Sequence, residues 1–66
     1  MNLKQIRNEK GLKAIYVAKK MGYSREYYSR LENRRTPLKK NHLIKLSEIL
    51  NINIEDLLNL LILEED

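Results

Sequence analysis

The sequence predicts a single all-α domain of five short helices, and three observations carry that prediction. Apolar residues recur at helical spacing in five separate stretches, and capping or helix-stopping residues bound those stretches. There is no cysteine to staple any other kind of small fold. Sixty-six residues supply one domain, 1–66, and a core of that size is marginal unless helices pack efficiently or a second subunit adds buried surface. The fold must stand on apolar packing, and residues 54–66 are expected to contribute a dimerisation helix.

Asn2, with Gln5 three residues later, reads as a capping box, and Leu3, Ile6 and Lys10 follow one helical face until Gly11 stops it. Helix 1 is predicted over 2–10. After Leu12, residues 13–21 place Val17, Ala18 and Met21 on one buried stripe, which makes helix 2 short and basic. Gly22 supplies a left-handed helix end, and Ser24 can cap the next helix on the amide of Glu26 or Tyr27. Helix 3, predicted over 24–32, turns Tyr28 and Leu31 inward and leaves Arg25, Glu26, Tyr27, Ser29 and Arg30 outside.

Asn33, Arg34, Arg35, Thr36 and Pro37 form a loop, because proline disfavours helical geometry in the residue before it. Helix 4 has two candidate starts, at Pro37 with Thr36 as its cap or near Asn41. Both run to about residue 50 and turn Leu43, Leu46, Ser47 and Leu50 inward, with Asn51 as the stop. Asn53 caps helix 5, predicted over 54–63, whose first turn carries Glu55 and Asp56 where the helix dipole favours acid. Ile54, Leu57, Leu58 and Leu61 suffice for one buried face. Leu60, Ile62 and Leu63 are surplus, and exposed apolar surplus marks an interaction site; the predicted dimer interface is Leu57, Leu60, Leu61, Ile62 and Leu63.

The net charge of +4 conceals a sharp division. Residues 1–40 carry 12 Lys or Arg against 3 acids, a net of +9, whereas residues 41–66 carry 1 Lys against 6 acids, a net of −5. The basic part suits phosphate contacts and counterion release, while the acidic end is repelled by the same polyanion, so the chain has a docking orientation. The apolar run Leu60 to Leu63 is far short of the roughly 20 residues of a membrane span. No apolar signal core follows Met1, which predicts a cytoplasmic protein. No acid–base pair, nucleophile arrangement or metal cluster stands out, so neither an enzyme nor a metal or cofactor is expected.

Helix 2, the Gly22 turn and helix 3 have helix-turn-helix spacing. Four stretches add to it: Leu3-Lys4-Gln5-Ile6-Arg7 with Lys10-Gly11-Leu12, Val17-Ala18-Lys19-Lys20-Met21-Gly22-Tyr23-Ser24-Arg25, Ser29-Arg30-Leu31-Glu32-Asn33, and Leu43-Ile44-Lys45-Leu46-Ser47 through Asn51 to Leu58. Together they resemble the Cro and phage-repressor (XRE-type) helix-turn-helix family over nearly the whole chain. The resemblance implies a five-helix lambda-repressor-like DNA-binding domain. It also implies that positions matching Arg25, Glu26 and Arg30 face base edges, that those matching Lys13, Asn33 and Arg34 face phosphates, and that Arg7 and Glu32 form an ion pair bracing the recognition helix. The chain departs from the family where Ala14 replaces a usual glutamine, and where Arg34-Arg35 replaces a usual glycine in a loop one residue shorter before Pro37.

Arginine suits bidentate contact with guanine O6 and N7, which favours Arg25 and Arg30 as base readers, although either also reads as a phosphate grip. Glu26 has two readings of equal weight, accepting from cytosine N4 or serving the helix dipole and a neighbouring arginine. Ser29 completes the base-facing set, and Tyr27 faces outward within reach of a thymine methyl or a phosphate. Stacking of the tyrosines on single-stranded bases is a weaker reading. Lys13, Lys19, Ser24, Asn33, Arg34 and Arg35 are the predicted phosphate contacts, with Lys20 beside them, although any one lysine also reads as a solvated charge. His42 reads as an exposed or hydrogen-bonded surface group without a role.

These features predict a transcriptional regulator, a repressor that binds a palindromic double-stranded DNA operator as a homodimer, with half-sites about 10 to 10.5 base pairs apart. Two other readings remain: an antitoxin that represses its own operon, and a protein-interaction module that uses the same fold to bind an unknown acidic partner.

Overall fold

The structure, a computed structural model, describes residues 1–62, with side chains through Leu61. Leu63 and the side chain of Ile62, both predicted for a dimer surface, lie outside the described residues. Among the described residues there are five helices and no strand: α1 (Leu3–Glu9), α2 (Ala14–Met21), α3 (Arg25–Glu32), α4 (Lys40–Leu50) and α5 (Ile54–Ile62). The described residues form an all-α domain, as the sequence predicts.

Side-chain caps begin three of the helices. The Gln5 amide donates to Asn2 Oδ1 at 2.8 Å while the Asn2 amide donates to Gln5 Oε1 at 2.9 Å, so two orphan amides of α1 are satisfied reciprocally. The Tyr27 amide donates to Ser24 Oγ at 3.1 Å, and the Glu55 amide to Asn53 Oδ1 at 2.8 Å. The start of α4 is different. It opens at Lys40, which excludes the start at Pro37, and His42 from inside the first turn takes the Lys39 amide on Nδ1 at 2.9 Å. The non-helical segment from Pro37 to Lys39 delivers half-buried Leu38 to the core, which an early helix would carry elsewhere.

The first four helices end alike. A residue in the left-handed region donates its amide three residues back, and the next amide donates five residues back: Gly11 and Leu12, Gly22 and Tyr23, Arg34 and Arg35, Asn51 and Ile52. Glycine adopts this geometry without steric cost and asparagine tolerates it. Arg34, with φ 61°, is the one long side chain in such a position.

Every helix gives two or three residues to one core: Leu3 and Ile6, then Val17, Ala18 and Met21, then Tyr28 and Leu31, then Leu46 and Leu50, then Leu57 and Leu61. Within it α2 packs on α3 and α4, and α4 on α5. The α-amino group of Met1 donates to the Leu60 carbonyl at 2.9 Å, tying the first residue to α5. Two expectations for α5 need correction. Leu57 and Leu61 are covered by this chain's own core, so they cannot present a surface to a second subunit without opening it. Leu58, expected inside, is 37% exposed, and Leu60 is half-buried.

His42 also departs from expectation: it is 3% exposed, not a surface group, and fully hydrogen-bonded. Among the described residues, no buried side-chain nitrogen or oxygen lacks a partner.

Candidate nucleic-acid interface

The sequence from Met21 to Glu32 sets up one exposed helix on a rigid base. Gly22 at φ 83° ends α2 and reverses the chain, and Ser24 starts α3 two residues later. Lys45 of α4 holds the turn from below, donating to the Met21 carbonyl at 3.2 Å with its ammonium 4.9 Å from the Tyr23 ring centroid. A cation beside the last carbonyls of α2 also suits the helix dipole.

The inner face of α3 is fixed by packing and by charge. Tyr28 and Leu31 sit in the core. Arg7 of α1 donates from Nε to Glu32 Oε2 at 2.9 Å and from Nη2 to Glu32 Oε1 at 3.0 Å. The Tyr28 hydroxyl donates to the same carboxylate at 2.6 Å, and Arg7 Nη1 donates to the Leu12 carbonyl at 2.8 Å. One guanidinium therefore ties the end of α3 to α1 and to the loop before α2.

The electrostatics follow from that geometry. The hydrogen bond to Glu32 raises the Arg7 pKa. Burial pushes the Glu32 carboxyl up, yet the hydrogen bonds from Arg7 and Tyr28 outweigh it and hold the carboxyl below the usual range. Burial, and then the Glu32 carboxylate, raise the Tyr28 phenol. All three groups stay in the protonation states the network needs.

The outer face is left to solvent. Arg25, Glu26, Ser29 and Arg30 are exposed and together line one shallow surface depression. Asn33 Nδ2 donates to Ser29 Oγ at 3.3 Å, which links a predicted phosphate contact to a predicted base-facing residue. Lys13 at the N-cap of α2 and Lys19 within α2 are exposed, as are Arg34 and Arg35 on the loop after α3. Ser24 is exposed, but its oxygen accepts the Tyr27 amide.

Tyr27 is not an outward side chain. It is half-buried on the flank of α3 toward α4, with its ring edge-on to Tyr23 at 4.7 Å and its hydroxyl 3.3 Å from His42 Nε2. The reason is spacing: at 100° per residue Tyr27 falls between Arg30 outside and Leu31 inside. Tyr28, His42 and Lys45 are bracing residues that sequence reasoning missed. Two of them left a signal, since Tyr28 and Glu32 are spaced i, i+4 and His42 stands at the third helical position, where a capping partner belongs.

Among the described residues there is no group of metal-ligating side chains, and no helix is long and apolar enough to cross a membrane. A short exposed helix, braced on its inner face and preceded by a glycine turn and a supporting helix, defines a helix-turn-helix DNA-binding domain. A family model described as Helix-turn-helix matches residues 3–57. The chain belongs to that family, the Cro and phage-repressor (XRE) type of DNA-binding regulator. No curated protein and no solved structure matches it.

Proposed function

We propose that this regulator is a repressor that reads a palindromic operator as a homodimer, one α3 in each half-site. The observation that carries the reading is the contrast between the two faces of α3. Its inner face is locked by Tyr28, Leu31 and the Arg7–Glu32 pair, while Arg25, Glu26, Ser29 and Arg30 share one open surface. Rigid support with a polar, long-armed outer face is what direct readout needs, because a base contact discriminates only when its donor is held in place.

Arg25 and Arg30 are assigned to guanine edges, and Glu26 and Ser29 complete the base-facing set. Lys13, Lys19, Asn33, Arg34 and Arg35 are assigned to phosphates, which supply affinity and salt dependence without sequence information. The dimer surface is assigned to α5 through Leu58 and Leu60, two apolar side chains of that helix that the core leaves partly uncovered. The size of the domain suits this arrangement: its longest Cα extent is 28 Å, and side chains add to that. Two abutting copies would bring their recognition helices near the roughly 34 Å that separates successive major grooves on one side of the duplex.

Selection of duplexes from a randomised pool, followed by sequencing, tests the proposal. A palindrome with half-sites about 10 base pairs apart is the expected product. A single asymmetric site would remove the dimer, and enrichment of no sequence would remove the reader altogether.

A further inference from the structure

His42 is the buried titratable side chain that the Arg7–Glu32–Tyr28 bracing network does not use. It lies in the first turn of α4, 3% exposed, against the flank of α3. The Lys39 amide donates to its Nδ1 at 2.9 Å, and a nitrogen that accepts carries no proton. The neutral ring must then hold its proton on Nε2, which is 3.3 Å from the Tyr27 hydroxyl oxygen. With Nε2 as donor, that oxygen is the acceptor, and the phenolic proton of Tyr27 is left to point elsewhere. The Tyr23 ring at 4.7 Å limits how far the Tyr27 ring can swing.

We propose that His42 is a positioning residue for DNA binding, which fixes Tyr27 so that its hydroxyl proton is presented to a phosphate oxygen of the DNA backbone. Tyr27 stands on the flank of the recognition helix, next to Arg30 on the helical wheel and short of the outer face that meets the bases. Exposed Arg34, Arg35, Lys39 and Lys40 lie on the segment between α3 and α4 and its junction with α4, so the same flank has the charge to hold a phosphate strand. A neutral donor adds a directional bond there, and the chain of bonds runs from the Lys39 amide through imidazole and phenol to phosphate. The inference deepens the DNA-binding reading and rests on it.

The ring must stay neutral for this arrangement, since protonated Nδ1 would face the Lys39 amide donor to donor. The groups that face His42 agree: Tyr23 from the turn and Tyr27 from α3 are uncharged, and Lys39 and Lys45 on either side of it in the chain are cations that oppose a second positive charge.

The test uses the full chain and a duplex selected by the wild type, with Tyr27→Phe, His42→Gln, His42→Leu and the two Tyr27 and His42 double variants. Tyr27→Phe is expected to weaken binding of the dimer roughly a hundredfold on every sequence alike, about tenfold for the one hydrogen bond to a charged group lost in each half-site. Its salt slope should stay that of the wild type, because no counterion is exchanged for a phenol. His42→Leu should weaken binding to a similar degree, His42→Gln should restore part of it by keeping an acceptor for Lys39, and neither should matter further once Tyr27 is phenylalanine. Proton–nitrogen NMR of the wild type should show His42 protonated on Nε2. Wild-type affinity in Tyr27→Phe, a preference altered at one base, or an Nδ1 proton on His42 would each overturn the inference alone. Failure of the wild type to bind any duplex would overturn the DNA-binding reading and this inference with it.

Discussion

Arg7 grips Glu32 through two parallel hydrogen bonds of 2.9 and 3.0 Å, joining α1 to the end of the recognition helix. Both side chains are 9% exposed, so each charge depends on the other. Burying an ion pair has little net worth, but stranding one buried charge is costly. Arg7→Ala and Glu32→Ala should each lower stability by about 2 to 4 kcal/mol in urea unfolding, with Glu32→Ala the worse because it also strands the Tyr28 hydroxyl. The double variant Arg7→Met with Glu32→Leu should lose less than either single change.

Arg34 occupies a left-handed position that glycine or asparagine fills at the ends of α1, α2 and α4. Such a conformation costs a side-chain-bearing residue about 1 to 2 kcal/mol, and glycine returns part of that through its freer unfolded chain. Arg34→Gly should therefore raise stability by roughly 0.5 to 1 kcal/mol. It should also weaken DNA binding and reduce the salt slope by about one per subunit, roughly two for the dimer, as loss of a phosphate contact does. Opposite movements of the melt and the affinity would identify strain retained for binding. The converse control is Gly22→Ala, where open space surrounds the added methyl but φ 83° does not suit it; a loss of about 1 kcal/mol is expected.

Much of this was legible in the sequence, and what was not has physical causes. The five helices follow from apolar spacing and punctuation, and the capping box of Asn2 and Gln5 is visible because its partners are close in the chain. The resemblance names both Arg7 and Glu32, but not Tyr28, which periodicity reads only as a core ring although its hydroxyl completes their network. The place of His42 as a capping partner is local, but its burial is hidden for another reason. Its burial comes from Tyr23 and Tyr27, some 15 to 19 residues earlier, and tertiary contact of that kind has no local signature. The start of α4 was ambiguous because Thr36-Pro37 is a good helix opening in isolation, and only the need to seat Leu38 decides against it.

Acid should destabilise the domain in two stages. Burial, with Lys39 and then Lys45, holds the His42 pKa below its ordinary 6.5, so the unfolded chain takes up the proton first. Stability from His42 is complete above pH 6.5 and declines as pH falls from there toward the folded pKa. Glu32, held below its ordinary 4.5, contributes stability that is complete above that value and is lost as pH falls through its lower folded pKa. Melting temperature against pH should show both declines, and His42→Gln should remove the first and leave the second.

Arg25→Ala tests most directly whether the outer face of α3 reads bases from a rigid mount. Affinity would be measured for the selected operator and for every single-base change in one half-site, with wild type and variant side by side. One base pair should lose its preference in the variant, by about 1 to 3 kcal/mol of discrimination, while preferences elsewhere persist. A uniform loss on all sequences with a shallower salt slope would place Arg25 on a phosphate and contradict the assignment.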